Sequence, residues 1–146
     1  MTLPIPARSS TSIELKPIGK LLREHFVVPS YQRGYRWTPR QVQDLLDDLT
    51  DFAKHGAPGV LYCLQPIIVK GDKGTWELID GQQRLTTVYI LLNYIRANAL
   101  PTAEKPFILE YETRPGSLDF LQAIDADRAN ENIDFFYINQ AFACIS

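Results

Sequence analysis

The chain has 146 residues, of which 45% are hydrophobic and 22% charged, a composition typical of one globular domain with a real core. Its formal net charge of −2 excludes the overall positive field that draws many proteins to nucleic acid. No apolar run is long enough to span a membrane, and residues 1–12 lack the apolar core of a secretory signal. We therefore expect a cytoplasmic protein with no membrane partner.

The first quarter of the chain predicts short elements followed by an unusual loop. We expect a flexible leader at 1–12, a short strand at 13–15 and a short helix at 17–24. The apolar run at 26–28, closed by a proline, is typical of a buried strand. The next segment, SYQRGYRW at 30–37, interleaves aromatic residues with arginines. Two interpretations stay open: its aromatic side chains only cover the core, or the segment stacks on bases and holds phosphates.

A strong helix signal begins at Thr38, which can cap a helix together with Pro39 at the first position and Gln41 in a capping box. An apolar stripe follows at helical spacing: Val42, Leu45, Leu46, Leu49 and Phe52. Four acids occupy the other positions: Asp44, Asp47, Asp48 and Asp51. We interpret them as a solvated face, with Asp47 and Asp48 turned toward a metal only if the helix flanks a site.

An antiparallel hairpin is expected next, with strands at 66–69 and 75–79 joined by a tight turn that contains glycine. Its second strand leads into a helix over 82–97, because apolar residues recur there at helical spacing. A strand at 107–112, a short helix at 118–124 and an apolar, aromatic helix at 133–145 complete the chain. Helices and antiparallel or mixed strands intermingle, which predicts an α+β fold.

The two cysteines, Cys63 and Cys144, have neither metal-ligand spacing nor a disulfide framework. Both lie among apolar residues, which predicts buried free thiols in a reducing compartment. Other familiar chemistry is missing as well. The chain has only two histidines, His25 and His55, and it has no P-loop, nucleophile elbow or dinucleotide fingerprint.

Five polar or small residues stand between the strand at 75–79 and its helix: Asp80, Gly81, Gln82, Gln83 and Arg84. A helix N-terminus binds anions through its free N–H groups, and Arg84 adds a fork of donors suited to phosphate. Gly81 permits a turn or the close approach of a ligand, and Asp80 offers a carboxylate for Mg²⁺ or a proton. In the structural alternative, Asp80 caps the helix, Gly81 only forms a turn and Arg84 makes a surface ion pair. That alternative leaves two glutamines followed by an arginine unexplained.

Two strings carry a resemblance: IDGQQRLTT at 79–87 and VPSYQRGYRW at 28–37. They closely resemble the N-terminal domain of GmrSD-type modification-dependent restriction proteins, which belongs to the ParB/sulfiredoxin-like superfamily. A third string, FFYINQAF at 135–142, is similar to the family's helix after the core. The resemblance implies a small mixed sheet flanked by helices at 13–125. Residues 126–146 would then be the start of a helical region that we expect to be truncated.

The resemblance also implies a function, namely a nucleotide-binding and NTP-hydrolysing sensor domain of a phage-defence protein. Its nucleotide state would be coupled to a DNA endonuclease, often a downstream or partner HNH domain. Matching positions imply catalysis by Asp80, Gln83 and Arg84, with Asp80 also holding Mg²⁺. Nucleotide-binding residues would be Gly81, Gln82, Arg84, Thr86, Gln32 and Arg33. DNA-binding residues would be Tyr31, Arg33, Tyr35, Arg36 and Trp37.

Two other functions stay open. One is a DNA-binding module without chemistry, which recognises modified DNA through residues 30–40. The other is a metal-dependent DNA nuclease or nickase with Asp80 as a ligand, for which a single acid in the motif is thin support. The nucleotide, the DNA modification and the oligomeric state stay undetermined, and a homo-oligomer is one expectation.

Overall fold

A computed structural model of the protein describes residues 12–72, 74–100 and 104–146. It contains one mixed sheet of four strands: β1 (His25–Val28), β2 (Ile68–Asp72), β3 (Thr75–Asp80) and β4 (Ile108–Tyr111). The strand order is β2-β3-β1-β4. The central strand β1 is parallel to β3 and to β4, whereas β2 pairs with β3 in antiparallel fashion. The predicted hairpin and the α+β fold are confirmed.

The described residues form four α-helices: α1 (Pro39–His55), α2 (Gln82–Asn98), α3 (Ser117–Gln122) and α4 (Ile133–Ile145). The helix α1 begins as predicted, because the Thr38 N–H donates to Gln41 Oε1 at 2.8 Å. The helix α4 is capped by Asn132, whose Oδ1 accepts the Phe135 N–H at 2.9 Å. Short 3₁₀ turns lie at Ile18–Lys20 and Ala126–Arg128.

The core lies between the sheet and the helices α2, α3 and α4. The central strand contributes Phe26 and Val28, and α2 contributes Tyr89 and Ile90, all at most 3% exposed. The helix α4 packs on both α1 and α2, so its apolar face has partners within the domain. One aromatic contact joins α4 to α3: the rings of Phe120 and Phe135 stack with centroids 3.8 Å apart.

Several sequence predictions were wrong in detail. Residues 13–15 form no strand, because Ile13 is fully exposed and none of the described strands pairs with this segment. The predicted helix at 17–24 shrinks to one 3₁₀ turn, and the strand predicted at 66–69 begins only at Ile68. Both thiols are more accessible than predicted, since Cys63 is exposed and Cys144 half-buried. The reason for Cys63 is that residues 61–67 run over the surface as irregular backbone.

The predicted leader lies outside the described residues except for Ser12. None of the described helices combines the length and the apolarity needed to cross a membrane.

Candidate functional site

The candidate site lies at the C-terminal ends of two neighbouring parallel strands, β1 and β3. Strand β1 leads into the segment 30–37, hereafter the aromatic loop, and β3 leads through Gly81 into α2. Because β1 and β3 are parallel, both segments leave the sheet at the same edge. The carboxyl edge of parallel strands is the usual position of ligand sites in open sheets. The topology therefore brings together the two motifs that stand about 50 residues apart in the sequence.

Gly81 forms the turn between β3 and α2. Its φ is 96°, a left-handed conformation that residues with a Cβ rarely adopt. A Cβ at this position would also lie 2.6 Å from Cγ2 of Ile67. The exposed Asp80 accepts the Gly81 N–H at 2.9 Å, so its carboxylate supports the turn. The turn explains why glycine stands at this position.

The two glutamines at the start of α2 bind the aromatic loop through its backbone. Gln83 donates from Nε2 to the Gly34 carbonyl at 2.7 Å, and its Oε1 accepts the Arg36 N–H at 2.7 Å. Gln82 donates to the Arg33 carbonyl at 3.4 Å. Gln32 completes the connection by donating to the Ile79 carbonyl at 2.7 Å. An amide side chain suits this position, because it donates and accepts at once.

A second layer of hydrogen bonds lies in the core behind these glutamines. Thr86 Oγ1 donates to the Gln82 carbonyl at 2.6 Å and shares a 2.6 Å hydrogen bond with Tyr111 OH. Thr87 Oγ1 donates to the Gln83 carbonyl at 2.9 Å and lies 2.8 Å from Tyr35 OH. Burial raises the pKa of both tyrosines. These bonds fix α2 and the aromatic loop from inside.

The structure separates the residues of the aromatic loop into two groups. Tyr35 is fully buried, so it covers the core, as one of the two interpretations of this loop proposed. Tyr31 is 68% exposed, and the adjacent Arg33 is also exposed. The Tyr31 hydroxyl donates to Glu77 Oε1 at 2.6 Å, a hydrogen bond that raises the pKa of Tyr31. Tyr35 therefore cannot contact a ligand unless the loop unfolds, whereas Tyr31 and Arg33 can.

A cleft of about 360 Å³ opens between α1, the irregular segment 61–67 and the start of α2. Its lining includes Trp37, Asp44, Asp48, Tyr62, Gln65 and Arg84. The Arg84 guanidinium lies over the Trp37 ring, 5.8 Å from its centroid. Arg84 also donates from Nη2 to Gln65 Oε1 at 2.9 Å. The last residue of the aromatic loop and the last residue of the polar motif thus share one wall.

The charges of the cleft are divided between its walls. Arg84 lies at the start of α2, while Asp44 and Asp48 face the cleft from α1. Both aspartates are exposed, so the predicted solvated face is confirmed for them even though they line the cleft. Mg²⁺ is commonly held by one or two carboxylates together with substrate phosphates and water. Asp44 and Asp48 supply two such carboxylates, whereas Asp80 is not among the residues that line the cleft, and the part of the chain described here holds no group of three potential metal ligands.

Sequence reasoning missed the contribution of α4. Asp134, in the first turn of α4, is buried and forms ion pairs with both Arg36 and Arg114. It also missed Gln65 as the partner of Arg84. No local signal marks either residue, because both contacts join segments that are distant in sequence. An acid in the first turn of a helix is ordinarily explained by the helix dipole alone.

The fold and the site together define the class of this domain. It is an α+β domain in which a loop and the N-terminus of a helix lie at one edge of a mixed sheet. The chain matches the family model described as GmrSD restriction endonuclease, N-terminal domain, over residues 18–143. It belongs to that family, and the resemblance found in the sequence is confirmed. Family membership makes it a component of a restriction system that acts against phage. Searches of curated proteins and of solved structures found no match.

Proposed function

We propose that this domain binds a nucleoside triphosphate together with Mg²⁺ and hydrolyses it, as the sensor part of a restriction protein. One observation carries the proposal: Arg84, in the first turn of α2, forms no ion pair with any of the described residues. Among the described residues its partner is the neutral Gln65, whereas Arg36 and Arg114 are neutralised by Asp134. The first-turn N–H groups of α2 have no partner within the helix. Both features favour an anion.

The cleft supports a nucleotide rather than a simple anion. Trp37 and Tyr62 offer aromatic faces on which a base can stack, close to the guanidinium that would hold a phosphate. Opposite them, Asp44 and Asp48 would repel a bare polyphosphate. A divalent cation bound with the phosphates removes that repulsion, which is why Mg²⁺ belongs to the proposal. The cation supplies electrostatic stabilisation of phosphate charge when it is bound.

The roles we propose for Arg84 and the two glutamines rest on their contacts, and the role of Asp80 is taken from the resemblance. Arg84 and the start of α2 hold phosphates, while Asp80 holds Mg²⁺ or orients a water molecule. Gln82 and Gln83 act indirectly, because their amides are bound to the aromatic loop and so keep Trp37 beside Arg84. We further propose that the nucleotide state controls a DNA endonuclease on a downstream or partner HNH domain, as the resemblance implies.

Hydrolysis is tested by measuring phosphate release from each of the four nucleoside triphosphates with Mg²⁺. Wild type should release phosphate from at least one of them. Arg84→Ala should reduce kcat/KM by roughly 10- to 100-fold, the cost of losing a charge-assisted hydrogen bond, and Asp80→Ala should abolish turnover. Arg23→Ala is the matched control, since the Arg23 side chain is 88% exposed and pairs only with Glu104 in the described structure. Equal activity of wild type and Arg84→Ala would disprove the assignment.

A second candidate, binding of modified DNA, is favoured by the exposure of Tyr31 and Arg33 on the aromatic loop. An exposed aromatic ring beside a guanidinium can stack on a base and contact a phosphate. Substituting Arg33 by alanine should weaken DNA binding and reduce its salt dependence by about one phosphate contact. A mobility-shift assay over a series of salt concentrations measures both effects. A shift that Arg33→Ala leaves unchanged would exclude this loop as the DNA contact.

A third candidate, direct metal-dependent cleavage of DNA at Asp80, has the weakest support. Incubation of plasmid DNA with the domain and Mg²⁺ or Mn²⁺ tests it, with Asp80→Ala as the control. Nicking that requires Asp80 would favour this candidate over hydrolysis of a nucleotide.

A further inference from the structure

The helix α4 contributes a buried carboxylate to the site. The Asp134 side chain is only 4% exposed, and its two oxygens have different partners. Oδ1 accepts from Arg36 Nη1, and Oδ2 accepts from Arg114 Nε at 3.1 Å. One carboxylate therefore joins three segments: the aromatic loop, the turn after β4 and the start of α4. The Arg36 and Arg114 side chains are only 20% and 35% exposed, so loss of the carboxylate would leave both guanidinium groups partly hydrated and without an anion.

The backbone of the aromatic loop rests directly on this carboxylate. A Cβ added to Gly34 would lie 2.7 Å from Asp134 Oδ2, which is closer than van der Waals contact. Glycine is therefore required at this point by the close approach of the loop to α4. The Arg36 guanidinium also donates to the Tyr35 carbonyl at 2.7 Å, so the side chain that pairs with Asp134 is also bound to the backbone of its own loop.

Residues 34–36 of the aromatic loop are also held by α2. Gln83 binds the Gly34 carbonyl and the Arg36 N–H, each at 2.7 Å. Residues 34–36 are thus clamped between an amide on α2 and a carboxylate on α4. Trp37 follows immediately and lines the cleft beside Arg84. The position of the Trp37 ring therefore depends on both halves of the clamp.

We propose that Asp134 is a positioning residue of the site, through which α4 controls whether Trp37 and Arg84 form a competent cleft. Without its charge, the guanidinium groups of Arg36 and Arg114 would face each other with no anion between them. Their repulsion would push the aromatic loop away from Gln83, while the rest of α2 stays packed on the sheet. The proposal rests on the proposed function for the identity of its ligand, but the state of the loop can be measured without a ligand.

Amide hydrogen exchange of the free protein provides that measurement. The Arg36 amide is protected by Gln83, so its exchange rate reports whether the loop is seated. Asp134→Asn keeps the size of the side chain and removes the charge. It should raise the exchange rate of Arg36 at least about tenfold and leave the amides of Tyr89 and Ile90 unchanged. Glu131→Gln is the matched control, because Glu131 pairs with Arg128 on the surface just before α4.

A second variant, Gly34→Ala, should also displace the aromatic loop, but through a steric clash. Gly34→Ala keeps every charge but forces the loop and the carboxylate apart, so it should produce the same local opening. Unchanged exchange at Arg36 in both variants would overturn the proposal. So would a uniform increase that includes Tyr89 and Ile90, since that pattern means a general loss of stability and not a loss of positioning.

Calorimetric titration with Mg²⁺ and each nucleoside triphosphate then links the loop to the site. Asp134→Asn should weaken binding at least about tenfold, whereas Glu131→Gln should bind like wild type. Undiminished affinity in a variant whose loop has opened would overturn the positioning role. Absence of binding to wild type would instead refute the proposed function, and the exchange pattern would still decide whether Asp134 seats the loop.

Discussion

Replacing Gln83 with alanine removes the main connection between α2 and the aromatic loop. Two hydrogen bonds of 2.7 Å disappear, and the Gly34 carbonyl and the Arg36 N–H lose their partner. A buried polar group left unpaired costs about 1–3 kcal/mol. Both residues are half-buried, so water can reach them in part and a cost of about 1–1.5 kcal/mol applies to each of the two groups. We therefore expect a loss of about 2–3 kcal/mol in the free energy of unfolding.

Urea unfolding followed by tryptophan fluorescence measures this loss, since Trp37 is the last residue of the loop. For a chain of this length the corresponding fall in Tm is about 5–10 °C. Gln43→Ala is the control, because Gln43 is an exposed helical glutamine whose two hydrogen bonds, to Asp47 and from the Cys144 thiol, lie at the surface. It should change stability by less than about 0.5 kcal/mol. If Gln83→Ala lowered the free energy of unfolding as little as Gln43→Ala, the Gln83 side chain would not be what holds the loop in place.

Three further predictions follow from single contacts. Gly81→Ala should destabilise the fold more than Gly59→Ala in thermal unfolding, because both glycines have positive φ but only Gly81 would place a Cβ against Ile67. Tyr35→Phe should cost about 1 kcal/mol in urea unfolding, since it loses the buried hydrogen bond to Thr87, which keeps a second partner. Burial raises the pKa of Tyr89 to about 12, so its contribution to the free energy of unfolding should be constant below pH 10 and fall between about pH 10 and pH 12. Urea unfolding at several alkaline pH values, compared with Tyr89→Phe, isolates that contribution.

Local signals were sufficient for the elements that local chemistry determines. The capping box of Thr38 and Gln41 located the start of α1 correctly. Helical spacing located α2 and α4, and the glycine-containing turn located the hairpin. The strand predicted at 13–15 failed for a physical reason, because a strand needs a neighbour and no local signal shows whether one is present.

The contacts that build the site could not be read from local patterns. Parallel pairing of β1 with β3 joins residues about 50 positions apart, and only this pairing brings the two motifs together. The sequence marked Gln82 and Gln83 as unusual, but their partners are backbone atoms of a distant loop. Asp134 lies still further along the chain, about 98 residues after its partner Arg36. Its burial depends on the packing of α4, which propensities do not specify.

The central claim is that Arg84 at the start of α2 binds the phosphates of a nucleotide in the cleft beside Trp37. Calorimetric titration of wild type and Arg84→Ala with Mg²⁺ and each nucleoside triphosphate tests it directly, with Arg23→Ala as the control for loss of a surface cation. We predict saturable binding of at least one nucleoside triphosphate to wild type and to Arg23→Ala, weakened at least about tenfold in Arg84→Ala. No binding to wild type, or equal affinity in Arg84→Ala, would contradict the claim.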